Sequence, residues 1–359
     1  MTVVMMGAFP PPVGGAARVN ALVRELLEAA GAQVAYVDLS GKGLAHRRGA
    51  AYHLRRLRAN LDGLRTAWRA GAQDATLYLA VDGGQGRWYS LLHHLALGRR
   101  FARVVLHHHS CGYIRQSSGA VSLLARAHAA RTTHVFLTPG MERAFRARYG
   151  AVRSVIASNA IMAAERTPWP EAIGARPGPR LGHLSNLCRE KGFFAVADAF
   201  ERTRDAGLAT ELRLAGPVLD DDVVPRLKHL EARYGDAVRY HGPIAGAEKD
   251  DFYRSVDLFL FPSRFAQEAA PLVVYEALAA GVPVLATDAG LIAEIVHGAR
   301  GEVCREDARY ADLVLRQAMA WTRGSSVVRA TTIKAGFKAE LDRSVEQYEE
   351  LLRLIRGHG

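Results

Sequence analysis

Glu268 and Glu276 stand with seven residues between them, the first in a loop and the second inside the helix after it. A helix start at the C-terminal edge of a parallel sheet holds anions through its backbone N–H groups and dipole. Carboxylates before and after such a start can accept hydrogen bonds from hydroxyl groups on either side of the anion. Around them, Leu258 to Val296 reads strand, loop, helix, strand, loop, helix. Leu258–Phe261 is a short continuous apolar run suited to a buried parallel strand, ended by Pro262 and Ser263. Pro271 falls where the first helical residue is expected and Gly281 just past the last one. Val282–Ala286 is the next buried strand.

Other residues with chemical potential also lie where strands end. Lys191 precedes a helix beginning at Phe193, after the strand Leu181–Leu184. A lysine beside a helix N-terminus is unfavourable by itself and better explained by a bound anion. His107, His108 and His109 come directly after the strand Arg103–Leu106. Side chains of an extended chain alternate, so the three cannot face one metal, and His107 and His109 share a side. A structural histidine at a strand end explains them as well. Gly7 to Gly15, a Pro/Gly loop, joins the strand Val3–Met6 to the helix Ala16–Ala30. Such a turn lets a ligand approach the backbone; a tight turn without a ligand accounts for it equally.

Taken together, these segments resemble the retaining, nucleotide-sugar-dependent glycosyltransferases of the GT-B fold, family 4 in the usual classification. Glu268 and Glu276 match that family's E-x7-E signature. Ala279–Val284 matches its A-x-G-x-P-V tail, and Asp288–Gly290 leads on to Glu294. Two solvated glutamates would explain the pair alone; with strand, proline, glycine and tail in register, the functional reading is favoured. The resemblance implies that Glu268 holds hydroxyls of the transferred sugar and Glu276 the ribose of the nucleotide. Ala269, Ala270, Leu272 and Val273 border the donor there, with the amides at the helix start, from Ala270 to Val273, facing its diphosphate. Ser185 to Gly192 resembles the family's G-R-L-x-x-x-K-G element, with Ser185 and Asn186 in the Gly and Arg places. Lys191 is then the cation against the diphosphate, with Arg189 as a substitute for the missing arginine. Gly14 and Gly15 face the diphosphate from the first loop, and the family's catalytic histidine that faces the cleft is carried to His109. Gly216 and Pro243 close two strand–Gly-Pro exits, Thr210–Ala215 and Val238–His241, the second loop contacting the base. Two departures stand out: Ala269 where the family has Gly, and Asn186 where it has Arg.

The implied architecture is α/β, GT-B, two doubly wound Rossmann-like parallel-sheet domains facing a central cleft. An acceptor-side domain is expected over 1–162, a linker over 163–179 and a donor-binding domain over 180–335. A C-terminal helix over 336–359 is expected to cross back onto the first domain. Pro168, Pro170, Pro177 and Pro179 mark the linker, and Asn159 resembles the residue that ends the first domain.

Length and composition fit two globular domains, since 359 residues exceed one ordinary domain and 49% of them are hydrophobic. No apolar run is long enough to span a bilayer, and Met1–Phe9 lacks a signal-peptide pattern. Cys111, Cys188 and Cys304 are few and far apart, as in a reducing cytosol, and no metal-binding spacing is present. Net charge is +11, unevenly spread. Residues 1–160 hold 21 Lys and Arg against 7 Asp and Glu, a net of +14; residues 161–359 hold 26 against 29, a net of −3. A basic half suggests an anionic partner. Without interleaved aromatics or nucleic-acid motifs, an anionic membrane surface is expected rather than nucleic acid. The expected contact is the amphipathic helix 46–69, with Arg47, Arg48, Arg55, Arg56 and Arg58 outward. Its stripe of Leu54, Leu57, Leu61, Leu64 and Trp68 is expected to pack on the core.

With the resemblance to these glycosyltransferases, the chain reads as a metal-independent hexosyltransferase with no cofactor beyond its nucleoside-diphosphate-sugar donor. Its acceptor is a glycan or glycolipid of cell-surface polysaccharide or lipopolysaccharide assembly, at the cytoplasmic face of the inner membrane. A non-catalytic nucleotide-sugar-binding subunit and a nucleotide-sugar epimerase are the alternatives. A phosphorylase needs a much longer chain, and a dinucleotide oxidoreductase lacks its GxGxxG fingerprint.

Overall fold

The computed structural model describes residues 1–11, 14–40, 50–71, 73–163, 178–208, 210–321 and 323–357. Arg47, Arg48, Pro12, Val13 and the prolines of the expected linker up to Pro177 lie outside the described residues. The chain divides into two compact units, Met1–Asn159 with Arg343–Gly359, and Ala160–Asp342.

In the first unit, β1 (Thr2–Gly7), α1 (Gly15–Ala29), β2 (Gln33–Asp38), α2 (Ala50–Ala70), β3 (Thr76–Val81) and α3 (Arg87–Leu97) come first. β4 (Arg103–His108), α4 (Gly112–Arg115), α5 (Gly119–Arg126), β5 (Thr132–Phe136), α6 (Pro139–Tyr149) and β6 (Ser154–Ile156) complete it. All strands run parallel in the order β2-β1-β3-β4-β5-β6. Parallel crossovers cover both sheet faces, which is why β3 is buried at every position and reads as an unbroken apolar run. The order reverses between β1 and β3, so the Pro/Gly loop after β1 leaves the sheet at a switch point.

The second unit contains β7 (Arg180–Leu184), α7 (Phe193–Asp205), β8 (Glu211–Ala215), α8 (Val223–Tyr234), β9 (Val238–Tyr240) and α9 (Gly246–Arg254). Next come β10 (Leu258–Phe261), α10 (Leu272–Ala279), β11 (Val284–Thr287), α11 (Ile292–Ile295), β12 (Gly301–Cys304), α12 (Tyr310–Met319) and α13 (Arg323–Arg356). Its sheet is parallel in the order β12-β11-β10-β7-β8-β9. Read from the β9 edge and numbered within the unit, this is three-two-one-four-five-six, the doubly wound order, and its switch point falls between β7 and β10. Leu181, Phe193, Leu212, Leu258, Leu260 and Leu285 share one core there. Residues of α13 up to Asp342 belong to this unit and those from Arg343 to the first. Within the first unit the Thr76 hydroxyl donates to the Ile355 carbonyl at 2.7 Å, and the Ser158 amide to Gln347 Oε1 at 3.0 Å.

The expected packing of α2 is corrected. Leu54, Leu57, Leu61 and Trp68 are exposed, while Asn60, Gly63 and Ala67 are buried. A Cβ on Gly63 would come within 2.9 Å of Val37 and 3.0 Å of Leu39. The small residues let the helix lie close to the sheet, and the leucines are turned away from it.

A histidine cluster fills part of the first unit's core. His108 Nε2 meets His134 Nδ1 at 2.9 Å, and His108 Nδ1 meets the Tyr113 hydroxyl at 2.8 Å. Burial holds all of these rings neutral, His94 being pushed down to about 4 and His134 to about 3. In the second unit His183 is pushed to about 4 by burial, its Nδ1 2.9 Å from the Leu260 carbonyl. Unfolded histidine titrates near about 6.5. As pH falls below that value, the unfolded chain takes up protons that these rings refuse, so stability present above it is progressively lost. The slope is about 1.4 kcal/mol per pH unit for each histidine until its folded pKa is reached. Melting monitored by circular dichroism is expected to give a lower Tm at pH 5 than at pH 7.5. An unchanged Tm would mean the rings take up protons in place.

Candidate functional site

Three loops leave the C-terminal edges of β7, β10 and β11 and meet at Glu268. Gly192 opens α7 with φ +87, and a Cβ there would lie 2.1 Å from the Pro262 carbonyl oxygen. The Lys191–Gly192 turn therefore rests on the end of β10, a contact and a backbone shape that only glycine permits. Lys191 Nζ donates to Glu268 Oε2 at 2.5 Å, and Ser263 Oγ donates to the same oxygen at 3.0 Å. Lys191 also lies over the Phe265 ring, 4.5 Å from its centre. From the third loop, Gly290, at φ +59, sits so close to Glu268 that a Cβ would be 1.7 Å from its carbonyl oxygen. Ser263 is fully buried; its carbonyl accepts from the Thr287 hydroxyl at 2.7 Å, tying the β10 and β11 exits together. The contact between Lys191 and Glu268, and the part of Ser263, carry no signal in local sequence.

Glu276 is the second surprise. It is completely buried on α10, with Lys249 Nζ 2.6 Å from Oε1 and 2.5 Å from Oε2. The Tyr253 hydroxyl reaches Glu276 Oε2 at 2.9 Å and the Val273 carbonyl at 3.1 Å, donating its one proton to either. Lys249 and Tyr253 are four apart on α9 and so share a face. Sequence reasoning missed both. Burying such a pair costs desolvation, and losing either partner would strand the other's charge away from water.

The remaining expected positions fall around these two carboxylates unevenly. Ala269, Ala270 and Leu272 are buried and Val273 half-buried at the start of α10. Pro271 is the residue before the helix, in extended conformation, and Leu272 is the first helical residue, correcting the expected register by one. Ser185 donates its amide to the Ala215 carbonyl at 3.1 Å, and Asn186 beside it is exposed. Gly216 donates to the Gly242 carbonyl at 2.8 Å and accepts from the Tyr240 hydroxyl at 2.9 Å, while Pro243 is exposed. Arg189 is paired with Asp222 and lies 4.6 Å over the Phe194 ring. Its side chain is turned to α8 rather than to Lys191 and Glu268, so it does not stand in for the missing arginine in this conformation.

In the first unit Gly14 precedes α1 in extended conformation, and a Cβ on Gly14 or Gly15 would meet nothing within 4 Å. Asn20 of α1 donates to the Ala8 carbonyl at 2.9 Å and accepts from the Tyr78 hydroxyl at 3.2 Å, fixing the preceding loop. His107 and His109 share a side as the pleat requires, with ring centres 4.2 Å apart. Burial pushes His109 down to about 4, so its ring is neutral, and its enclosed Nε2 has no hydrogen-bond partner among the described residues. Arg55 and Arg58 are exposed on α2, but Arg56 is not a free surface charge: it pairs with Asp82 at 2.6 Å. Among the described residues no three His, Cys, Asp or Glu side chains gather as a metal site, and no helix is long and apolar enough to cross a membrane.

Residues 178–318, which hold β7 to α12, match the family described as Glycosyl transferases group 1. The lipopolysaccharide core biosynthesis mannosyltransferase LpsB of Rhizobium meliloti is 29% identical over 143 residues, covering 38% of this chain and 40% of that protein. A putative teichuronic acid biosynthesis glycosyltransferase, TuaC of Bacillus subtilis, is 32% identical over 113 residues, 32% of this chain and 25% of that protein. The chain thus spans two fifths or less of the curated relatives it matches. Among solved structures, sucrose-phosphate synthase from Thermosynechococcus elongatus superposes with TM-score 0.69 at 17% identity, covering 98% of this chain and 99% of that one. Anabaena HepE in complex with UDP and glucose gives 0.66 at 16% identity, covering 99% and 100%. At such identities the likeness is one of fold: two Rossmann-like units of the GT-B class.

Proposed function

We propose that this protein is a retaining glycosyltransferase that moves a sugar from a nucleoside diphosphate to a hydroxyl of a glycan or glycolipid. The observation that carries this is the junction of Lys191, Ser263 and Glu268 where the strand order reverses, the place where open α/β sheets bind ligands. Matching of this same segment to Glycosyl transferases group 1, and the UDP in the HepE structure, support it. In the reaction the bond from the anomeric carbon to the diphosphate oxygen breaks. The acceptor oxygen takes its place and loses its proton. Lys191 and the first-turn amides of α10 oppose the negative charge growing on the diphosphate, which is stabilisation aimed at the transition state. Glu268, held by Lys191 and Ser263, accepts from sugar hydroxyls. Glu276 is assigned the ribose; because Lys249 and Tyr253 enclose its carboxylate, the ribose has to displace one of them to reach it. His109, neutral at pH 7, is available to accept a hydroxyl proton.

In this reading the second unit takes the donor and the first the acceptor, with 163–179 proposed as the linker. Cell-surface polysaccharide or lipopolysaccharide assembly at the cytoplasmic face of the inner membrane is the setting proposed, with the basic first unit against anionic lipid. A panel of nucleoside-diphosphate sugars tested by thermal shift is the direct experiment. A donor at a hundred times its Kd is expected to stabilise by about 2.7 kcal/mol. No shift with any donor overturns the reading. A shift without transfer, or without donor hydrolysis in the absence of acceptor, would make the chain a binding subunit, as the changes at Asn186 and Ala269 allow.

A further inference from the structure

The outward face of the first unit's helices α2, α3 and α5 is both apolar and basic. α3 lies between the other two: His93 Nε2 meets the Asn60 carbonyl of α2 at 3.2 Å, and His94 Nε2 meets the Ala127 carbonyl at the end of α5 at 2.9 Å. With those histidines turned inward, Trp88, Leu92 and Leu95 form a stripe on α3's outer side. The exposed leucines and Trp68 of α2 lie to one side of it and Leu123 of α5 to the other. Each of these large side chains is between 41% and 54% exposed. Single exposed leucines need no explanation, but parallel stripes on adjacent helices do. Arg55, Arg58, Arg65 and Arg69 stand among them on α2, and Arg126 on α5. Asp62 is the one acidic residue in the three helices, and it is 3.2 Å from Arg65.

We infer that this face is a membrane-insertion surface, in which Leu and Trp side chains enter the interface of an anionic bilayer while the arginines meet its headgroups. Leu and Trp on one side with Arg along the flanks is the make-up of helices that lie in that interface, and Trp rings settle at headgroup depth. Charge argues against a second copy of this chain as the occupant, because two such faces would set arginine against arginine. The inference rests on the membrane part of the proposed function and deepens it, from adsorption by charge to burial of apolar side chains. The two differ in their response to salt. The Debye length falls from about 10 Å at 0.1 M to about 3 Å at 1 M, which removes long-range attraction but leaves buried apolar contacts.

The test is flotation of the full chain with vesicles of phosphatidylcholine, alone or mixed with phosphatidylglycerol. Wild type is expected to float with the mixed vesicles at low salt and to remain partly bound at about 1 M. Its tryptophan emission should shift to the blue on binding, and Trp68→Phe with Trp88→Phe should remove that shift. Leu57→Glu with Leu92→Glu, at exposed sites that the fold does not use, should lower the partition coefficient by about tenfold or more. Donor-dependent thermal stabilisation should stay unchanged. Binding that needs anionic lipid but vanishes at high salt and ignores the Leu57→Glu/Leu92→Glu change overturns insertion and leaves charge adsorption standing. No flotation with either vesicle overturns both. Self-association of wild type, lost in the glutamate variant and without flotation, would make the face a contact between copies and overturn the inference.

Discussion

Lys191→Ala is expected to lower turnover by about a hundredfold or more, the scale of losing one donor aimed at a developing anion. The structure adds a second reason for a large effect. Lys191 Nζ is 2.5 Å from Glu268 Oε2, so its removal also leaves that carboxylate with Ser263 as its remaining close donor there. Both proposed roles, opposing the diphosphate and holding Glu268 for the sugar, depend on one ammonium group. Lys191→Arg keeps the charge but replaces a compact ammonium by a planar fork, and should recover only part of the loss. Because the lysine and amides supply the positive potential in this scheme, EDTA is expected to leave turnover as it was. The measurement is initial rate at saturating donor, paired with donor-dependent thermal shift. Wild-type turnover in Lys191→Ala sinks the assignment, and abolition by EDTA sinks the metal-free scheme.

That contact shows where sequence reading stops. β3, β10 and β11 are largely apolar runs with Gly or Pro nearby and stand out in the sequence, as does the Glu268 loop, whereas β7 carries Arg180 and His183. The helix after each strand is equally plain. Which strands are neighbours is not, and Lys191 touches Glu268 only because β7 and β10 pair side by side although α7, β8, α8, β9 and α9 separate them in the chain. Ser263 looks like a strand terminator until its hydroxyl is seen on Glu268. Lys249 and Tyr253 look like any solvated helix face for the same reason. The edge strand β12, Gly301–Cys304, is short and half-buried, and has no apolar run to announce it. On α2 the spacing of the leucines identifies a stripe correctly but not its direction. Asn60, Gly63 and Ala67 recur at helical spacing too, and their small size decides which stripe meets the sheet. Periodicity finds faces; volume decides which is buried.

Volume and desolvation together give the other large effect, at Glu276. Its carboxylate is fully buried, and Lys249, itself only 13% exposed, is the cation facing it from α9. Lys249→Met would take that ammonium away from a carboxylate that has no water to turn to. Removing one member of such a pair costs about 3–5 kcal/mol, far more than breaking a surface ion pair. In a unit of this size that is a fall in Tm of roughly ten degrees. The effect should be one-sided: Glu276→Gln in the Lys249→Met background removes the stranded charge, keeps an acceptor for Tyr253 and should restore most of the loss. Glu276→Ala, by contrast, is expected to weaken donor binding, seen as a smaller donor-dependent thermal shift, because the ribose loses its carboxylate. The pair of readouts separates the two duties of this residue. If Lys249→Met melts like wild type, the pair is not desolvated in solution and the buried arrangement is wrong. If Glu276→Ala keeps the full donor shift, the carboxylate anchors α9 to α10 and the ribose is held elsewhere.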